Sequence, residues 1–329
     1  MSNKHLYIVY PTKDPLSPSY LRVKEFENVF KLNYHVSAVD LKLVNILKLL
    51  LASKTGRIIF FVSMPAFRSW WIFLLPRIDV ILDIRDGWSI AMASGYGKTV
   101  KPQPLKAIFA KIVERFSIRN SLMAIACTFG LCDYLENISG IKMVFIPNGM
   151  SSGDLDLIRK LKINHLPNKP NGVGVFVCSG QFSEYGVEKV KILLHRIFSR
   201  YSEKFEKIEI KLIGSSVEKN NWVQHYFSGL SGGRGYLNLL PKMSRSSLYK
   251  EMLNSDFGIA IVRDPSYDYG TKIYDYIALG LSVVNYFDEP NNFTQYFDPA
   301  LDFPFISNKE MPEIDRGILI QRGMEFLGK

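Results

Sequence analysis

Residues 257–284 read Phe257-Gly-Ile-Ala-Ile-Val262-Arg263-Asp264-Pro-Ser-Tyr267-Asp268-Tyr-Gly270-Thr271-Lys272-Ile-Tyr274-Asp275-Tyr-Ile-Ala-Leu-Gly280-Leu-Ser-Val-Val284. The run 257–262 is short, apolar and rich in β-branched residues, as a strand buried on both faces requires. A loop of turn-forming residues follows, and helical spacing begins at Thr271. Gly280 is the residue type that ends a helix, and 282–287 resumes a buried strand. Strand, loop, helix and strand in succession make a parallel β-α-β unit, because parallel strands need a crossover between them.

The same alternation extends outward in both directions. Behind this unit lie strand-like runs at 173–178, 207–213 and 236–240, with helical stretches at 187–201 and 244–254. In the first half, strand-like runs at 5–10, 34–41, 57–62, 79–84, 122–128 and 142–146 alternate with helical stretches at 20–32, 41–52, 104–121 and 129–138. Leu105, Ile108, Phe109, Ile112 and Phe116 recur at helical spacing, with Lys106, Lys111 and Arg115 on other faces, the mark of an amphipathic helix covering a sheet. Between the two series, Asn148-Gly149 ends the first, and 151–171 is polar, basic and punctuated by Pro and Asn. The reading is an α/β chain of two Rossmann-like domains facing a cleft. It comprises 1–150, a linker 151–171, a second domain 172–308 and a closing helix within 309–329 that packs back towards the first domain. Ligands of such sheets bind beyond the C-terminal strand ends.

Length and composition agree with this division. The 329 residues suit two domains, and 47% hydrophobic with 22% charged residues excludes a disordered or collagenous chain. Lys and Arg number 41 against 31 Asp and Glu, so the net charge is +10, which points to an anionic ligand or surface. No dense Lys/Arg run or nucleic-acid motif accompanies it, so no nucleic-acid partner is expected. The three cysteines, Cys127, Cys132 and Cys178, lack metal-ligand spacing and read as small buried hydrophobes. The five scattered histidines give no zinc pattern, and no metal is expected. The N-terminal apolar run stops at Pro11, and the most apolar region, 58–82, is broken by Arg68 and Arg77. A cytoplasmic protein is therefore expected, without a spanning helix.

Several local patterns carry little. Gly97-Lys98-Thr99 ends as a P-loop does, but Met92 stands where its first glycine belongs. Asp154 and Asp156 lie in the linker without a third ligand and read as solvated charges. Two segments rise above these. Asp83-Ile-Arg85-Asp86-Gly-Trp88 follows a strand directly, which puts Arg85 and Asp86 at its ligand end. In 264–284, the helix opening at Thr271 offers unpaired N–H groups and partial positive charge to a diphosphate. Lys272 sits in the first turn, where a cation opposes the helix dipole, and this favours an anionic ligand there. Asp275, about one turn on, is placed to accept hydrogen bonds from sugar hydroxyls.

Gly270-Thr-Lys272-Ile-Tyr-Asp275-Tyr276-Ile-Ala278-Leu-Gly280-Leu-Ser-Val283-Val284 resembles the donor-site stretch of the retaining nucleotide-sugar glycosyltransferases of the GT-B fold, especially family 4. Val144-Phe-Ile-Pro147-Asn148-Gly149, Phe176-Val-Cys-Ser-Gly180, Leu212-Ile-Gly214 and the passage from Leu239-Leu-Pro241-Lys242 to Ser255-Asp256-Phe257-Gly258 match the family in order. Asp83-Ile-Arg85-Asp86-Gly-Trp88 looks like a motif of one branch, and Arg22 matches an arginine seen in some members. The resemblance implies transfer of a sugar from a nucleotide-diphosphate donor, the only co-substrate, to a glycan or lipid-linked acceptor. Retention, metal independence and a place in bacterial surface-polysaccharide synthesis come with it. It also implies donor contacts from Gly180, Gly214, Lys242, Arg263, Tyr267, Gly270, Thr271, Lys272 and Asp275. Asp86, Arg85 and Asp268 would be the catalytic residues, and Arg22 and Trp88 acceptor contacts.

Two departures stand out. Tyr267 occupies the position of the family's first glutamate, leaving Asp264 or Asp268 as substitutes. Gln181-Phe-Ser-Glu-Tyr185 follows Gly180 where Arg and Lys are usual, leaving Arg263, Lys272 or Lys242 to neutralise the diphosphate. A catalytically inert GT-B subunit that binds glycan or scaffolds a partner enzyme is the alternative. A nucleotide-sugar epimerase would need acidic and histidine clusters that the sequence lacks. The segment from Pro65 to Arg77 mixes aromatics with arginines, as segments lying on an anionic membrane do, so peripheral attachment to the inner membrane face is a further expectation.

Overall fold

The structure is a computed structural model. It describes residues 5–15, 17–52, 57–63, 67–166, 168–306 and 310–325, and the backbone alone of residues 52, 67–69 and 98. The chain divides into two compact units, 1–152 with 315–329, and 153–314.

The first unit runs β1 (His5–Val9), α1 (Pro18–Phe30), β2 (His35–Ala38), α2 (Leu43–Ala52) and β3 (Ile58–Ser63). A 3-10 segment (Phe67–Leu74) leads to β4 (Ile78–Ile84), α3 (Trp88–Lys98), α4 (Pro104–Arg119), β5 (Met123–Ala126), α5 (Phe129–Ser139) and β6 (Val144–Phe145). The second unit runs α6 (Ser152–Ile163), β7 (Val173–Ser179), α7 (Val187–Tyr201), β8 (Lys207–Ile213), α8 (Val217–Leu230), β9 (Gly235–Leu240), α9 (Arg245–Leu253), β10 (Phe257–Ile259), α10 (Lys272–Leu279), β11 (Ser282–Val284) and α11 (Asn292–Phe297). Helix α12 (Arg316–Met324) then returns to the first unit.

Both sheets are parallel throughout. Their strand orders are β2-β1-β3-β4-β5-β6 and β11-β10-β7-β8-β9. Each order reverses once, between β1 and β3 in the first sheet and between β7 and β10 in the second. At such a reversal the two flanking connections leave towards opposite faces, opening a crevice at the carboxyl ends of the strands. Central strands such as β3, β4 and β7 are buried along nearly their whole length, which is why they read as continuous apolar runs. In the first unit α1 and α12 cover one face, with Val23, Phe26 and Ile320 against Phe61, Ile81 and Ile125. On the other face Ile46 and Leu50 of α2 and Ile72 of the 3-10 segment pack against Phe60, Val62 and Val80.

The expectations differ from the structure in three places. The linker expected over 151–171 is in part a helix, α6, whose Leu155 and Ile158 are buried while Asp156, Arg159, Lys160 and Lys162 are exposed. Beyond α6, Lys169 pairs with Asp256 at 2.8 Å and the Asn168 N–H donates to Asn254, so this segment is tied to the second unit; Pro167 lies outside the described residues. Asp154 is not a solvated charge, since Arg245 holds it at 2.7 Å. The apolar stripe of α4 faces solvent rather than the sheet. In keeping with Met92 at the first-glycine position, Gly97 belongs to a left-handed run, Gly95 to Gly97, that breaks α3, and is no strand-to-helix phosphate loop.

Helix α12 is the last described element of the chain and a structural part of the first unit. Met150 bridges to Asp315, and the Arg316 side chain donates to the carbonyls of Asn148 and Gly149. Gly323 sits mid-helix because a Cβ there would come within 2.4 Å of Ile146. Among the described residues no helix is long and apolar enough to cross a membrane.

Candidate functional site

In the second unit, the carboxyl ends of β7, β8 and β9 carry Gly180, Gly214 and Lys242. The Gly180 N–H donates to Ile213 at 2.7 Å and the Gly214 N–H to Leu240 at 2.8 Å, so the sheet pairing continues into both turns. Lys242 is exposed just beyond β9, and its Cα lies 4.0 Å from where a Cβ on Gly214 would be.

Lys272 supplies the cation at the reversal of strand order. Leaving the first turn of α10, its side chain crosses from the β10 connection to the end of β7. A Cβ on Gly180 would stand 2.4 Å from Lys272 Nζ, and Gly180 has φ +123°. Only glycine admits both that backbone and that neighbour. The Lys272 ammonium donates to Tyr185 Oη at 2.7 Å and lies 5.1 Å from the ring centre. Burial works against its charge, but the facing Cys178 thiol and Tyr185 hydroxyl outweigh it and hold its pKa above the ordinary lysine value. It is thus a cation at neutral pH. A lysine from another loop therefore lies beside the Gly180 turn, where Gln181-Phe-Ser-Glu-Tyr185 brings no cation of its own. Tyr185 was invisible to the sequence reading, because its partner lies 87 positions away.

The loop between β10 and α10 is braced from within. Asp268 accepts from the N–H groups of Gly270 (2.8 Å) and Arg263 (3.4 Å), and Asp264 accepts from Ser266 N–H (3.0 Å). Arg263 is exposed, and its carbonyl accepts from Lys189. Tyr267 is partly buried on the same loop, and Thr271 is exposed ahead of the helix with no side-chain cap bond. Asp275 is held from outside this loop. Its carboxylate accepts from Tyr249 Oη at 3.3 Å; Arg245 donates to that same oxygen at 3.0 Å and pairs with Asp154. Tyr249 is fully buried, and burial together with Asp275 and Asp154 pushes its pKa up. Asp154, Arg245 and Tyr249 form a chain that fixes Asp275, and sequence spacing gave no sign of it.

In the first unit, the candidates gather at the carboxyl ends of β3 and β4. Arg22 is 1% exposed, with its guanidinium on Asp83 at 2.8 Å and on the carbonyls of Ile146 and Pro147 at 2.9 Å. Ser63 donates to the same carboxylate at 2.7 Å. Burial alone would raise the Asp83 pKa; Arg22 overrides it and holds the carboxyl below its ordinary value. Arg22 and Asp83 therefore clamp α1, β3, β4 and the end of β6. Arg85 and Asp86 stand just outside this clamp. Arg85 donates to Ser19, while its Nε is buried with no hydrogen-bond partner among the described residues. Asp86 is exposed. Trp88 opens α3, where Glu114 takes the capping role, accepting from the Trp88 N–H at 2.6 Å and from Ser89. Burial pushes the Glu114 pKa up. Among the described residues no group of His, Cys, Asp and Glu is placed to hold a metal ion.

No protein-family model and no curated protein sequence matches this chain. Solved structures match it in fold. Sucrose-phosphate synthase from Thermosynechococcus elongatus superposes with TM-score 0.59 at 14% identity, over 98% of this chain and 90% of that one. Trehalose-6-phosphate synthase gives 0.57 at 9% identity, over 98% and 91%. A candidate UDP-N-acetylglucosamine 2-epimerase from Listeria monocytogenes gives 0.51 at 10%, over 100% and 89%. The fold is thus α/β with two Rossmann-like units, as in glycosyltransferases of the GT-B type. Synthase and epimerase names both occur among these neighbours, so the reaction has to be argued from the site.

Proposed function

We propose that the protein is a glycosyltransferase that moves a sugar from a nucleoside-diphosphate sugar to a glycan or lipid-linked saccharide. The observation that carries this reading is the Lys272 ammonium beside the Gly180 turn, at the strand-order reversal of the second sheet and the N-terminus of α10. That arrangement brings a full charge and helix N–H groups to one point, as a departing diphosphate requires.

The bond from the anomeric carbon to the diphosphate oxygen breaks, and its electron pair leaves with the diphosphate. Lys272 and the α10 N–H groups stabilise the charge, so no metal is needed for that task. Lys242 and Arg263 add exposed cations, and Gly180, Gly214 and Gly270 allow the backbone to approach the phosphates. Thr271 meets a phosphate oxygen, and Asp275, fixed by Tyr249, accepts from ribose hydroxyls. An acceptor hydroxyl attacks the same face of the anomeric carbon and passes its proton to the leaving phosphate, which retains the configuration. Tyr267 and Asp268 border the transferred sugar. Asp86 and Arg85 take the acceptor, Arg85 through its unpartnered Nε, with Trp88 beside them and Arg22 holding Asp83 beneath. We assign the work to polysaccharide assembly in the cytoplasm.

Tyr267 favours a second reading, because a carboxylate is expected at that position and Asp268 is turned onto its own loop. The protein would then be an inert binding subunit. Thermal-shift screening with nucleoside diphosphates and their sugars tests both. Stabilisation by one nucleotide with sugar transfer supports the transferase. Stabilisation without hydrolysis or transfer across a broad acceptor set supports the inert subunit. No stabilisation by any nucleotide refutes the donor site and with it the transferase.

A further inference from the structure

Helix α4 is packed inside out. Its buried positions carry Ala107, Ala110, Glu114, Ser117 and, as the single large apolar residue, Ile118, while Leu105, Ile108, Phe109 and Ile112 are 81, 59, 59 and 61% exposed. A helix that only covers a sheet turns its large apolar side chains inward. Helix α2 shows the same excess: Ile46 and Leu50 fill the core, but Leu43, Val44, Leu47 and Leu51 remain exposed, Leu51 at 82%. The 3-10 segment joins them. Its Ile72 shares the core cluster of α2, its Trp70 ring meets Phe116 of α4 edge-on at 6.3 Å, and Trp70 and Leu74 are exposed. Single exposed leucines are ordinary, but a run of them across three neighbouring elements is not.

Charge identifies what this face meets. Lys42, Lys48, Lys101, Lys106, Lys111 and Arg115 are exposed on or beside these elements. The acid within the three elements is Glu114, which is buried and bonded to Trp88 and Ser89, and beside them Asp40 is exposed ahead of Lys42, so the cations prevail. A second copy of the same face would set these cations against each other, which opposes self-association. Apolar side chains ringed by lysines match the headgroup and acyl boundary of an anionic bilayer, where the stems lie in the apolar layer and the amines at the phosphates. We propose that this face of the first unit docks the protein on an anionic lipid surface. The sequence pointed to residues 65–77 for such a role. Of these, Pro65 and Ala66 and the side chains of Phe67 and Arg68 lie outside the described residues, and α2 and α4 supply most of the exposed apolar surface. The proposal is independent of the donor site.

The test is cosedimentation of the full chain with phosphatidylcholine–phosphatidylserine vesicles and with pure phosphatidylcholine vesicles, at low and high salt. Binding is expected on the anionic vesicles alone and weakens as salt rises. Lys106→Glu with Lys111→Glu is expected to lower the affinity by about thirty-fold or more, at roughly five-fold for each lost lysine. Ile108→Ser with Ile112→Ser is expected to lower it by a comparable factor, and both pairs, being exposed, to keep the thermal midpoint. Failure to sediment at low salt, or sedimentation that neither pair alters, overturns the proposal. So does a concentration-dependent dimer that the serine pair abolishes in a protein that ignores vesicles. Nucleotide-induced thermal shifts persist in both variants if the donor site is sound, which keeps the two failures separate.

Discussion

Lys272→Met keeps the length and apolar stem of the lysine and removes its charge. With a phosphate oxygen about 4 Å from the ammonium and an effective dielectric of about 20, the attraction is about 4 kcal/mol before desolvation is counted. Measured charge-assisted hydrogen bonds net about 1.5–3 kcal/mol, which corresponds to roughly ten- to hundred-fold weaker nucleoside-diphosphate binding. The substitution also leaves the Tyr185 hydroxyl without its 2.7 Å donor, so the ligand-free protein should lose about 1 kcal/mol of stability. Isothermal titration with the nucleotide that gives the largest thermal shift separates the two effects, since it reads affinity on folded protein. The matching nucleoside, which carries no phosphate, should bind wild type and variant alike. A variant that binds the diphosphate as tightly as wild type would sink the argument that Lys272 receives it.

Four further outcomes rest on the packing. Gly180→Ala places a methyl group on the Lys272 ammonium and strains a residue at φ +123°, so diphosphate affinity should fall at least ten-fold by titration, as for Lys272→Met. Tyr249→Phe takes one donor from Asp275 and leaves Arg245 short of an acceptor; a KM for donor raised several-fold with little change in kcat is expected, and an unchanged KM would remove Tyr249 as a positioning residue. Arg22→Leu strands a buried Asp83 and should cost about 3–5 kcal/mol in chemical denaturation. Because Asp83 titrates below its unfolded value, its contribution to stability is complete above about pH 4 and is lost as pH falls through and below that range. Asp83→Asn should flatten that acid limb.

Much of the fold was readable because burial on both faces demands unbroken apolar strands. Runs such as 173–178 and 207–213 therefore coincide with β7 and β8 almost to the residue. Helices were harder to read. Helix α8 was passed over because Asn220, Asn221 and Gly229 dilute its pattern, and α6 because its outward charges resemble a linker. For α4 the periodicity was correct and its direction was not. Spacing defines a stripe, but which side is buried depends on what the neighbours leave room for, and the inward side here carries Ala107, Ala110, Glu114 and Ser117 before Ile118. At the candidate site, Lys272 and Gly180 were each visible as residue types with a purpose. Their contact was not, because it depends on β10 lying beside β7, a pairing set by topology rather than by local sequence.

Helix α12 has a consequence for the order in which the chain is made. The first unit needs residues 315–329 to complete it, whereas the second is one uninterrupted segment, 153–314. During synthesis from the N-terminus, all of the second unit emerges before the helix that covers Phe26 and Phe30 of the first. The unit begun first is therefore finished last. Until then the core beside Phe26 and Phe30 lacks Ile320 and Leu319, an opening for chaperones and for misassembly that closes when α12 docks.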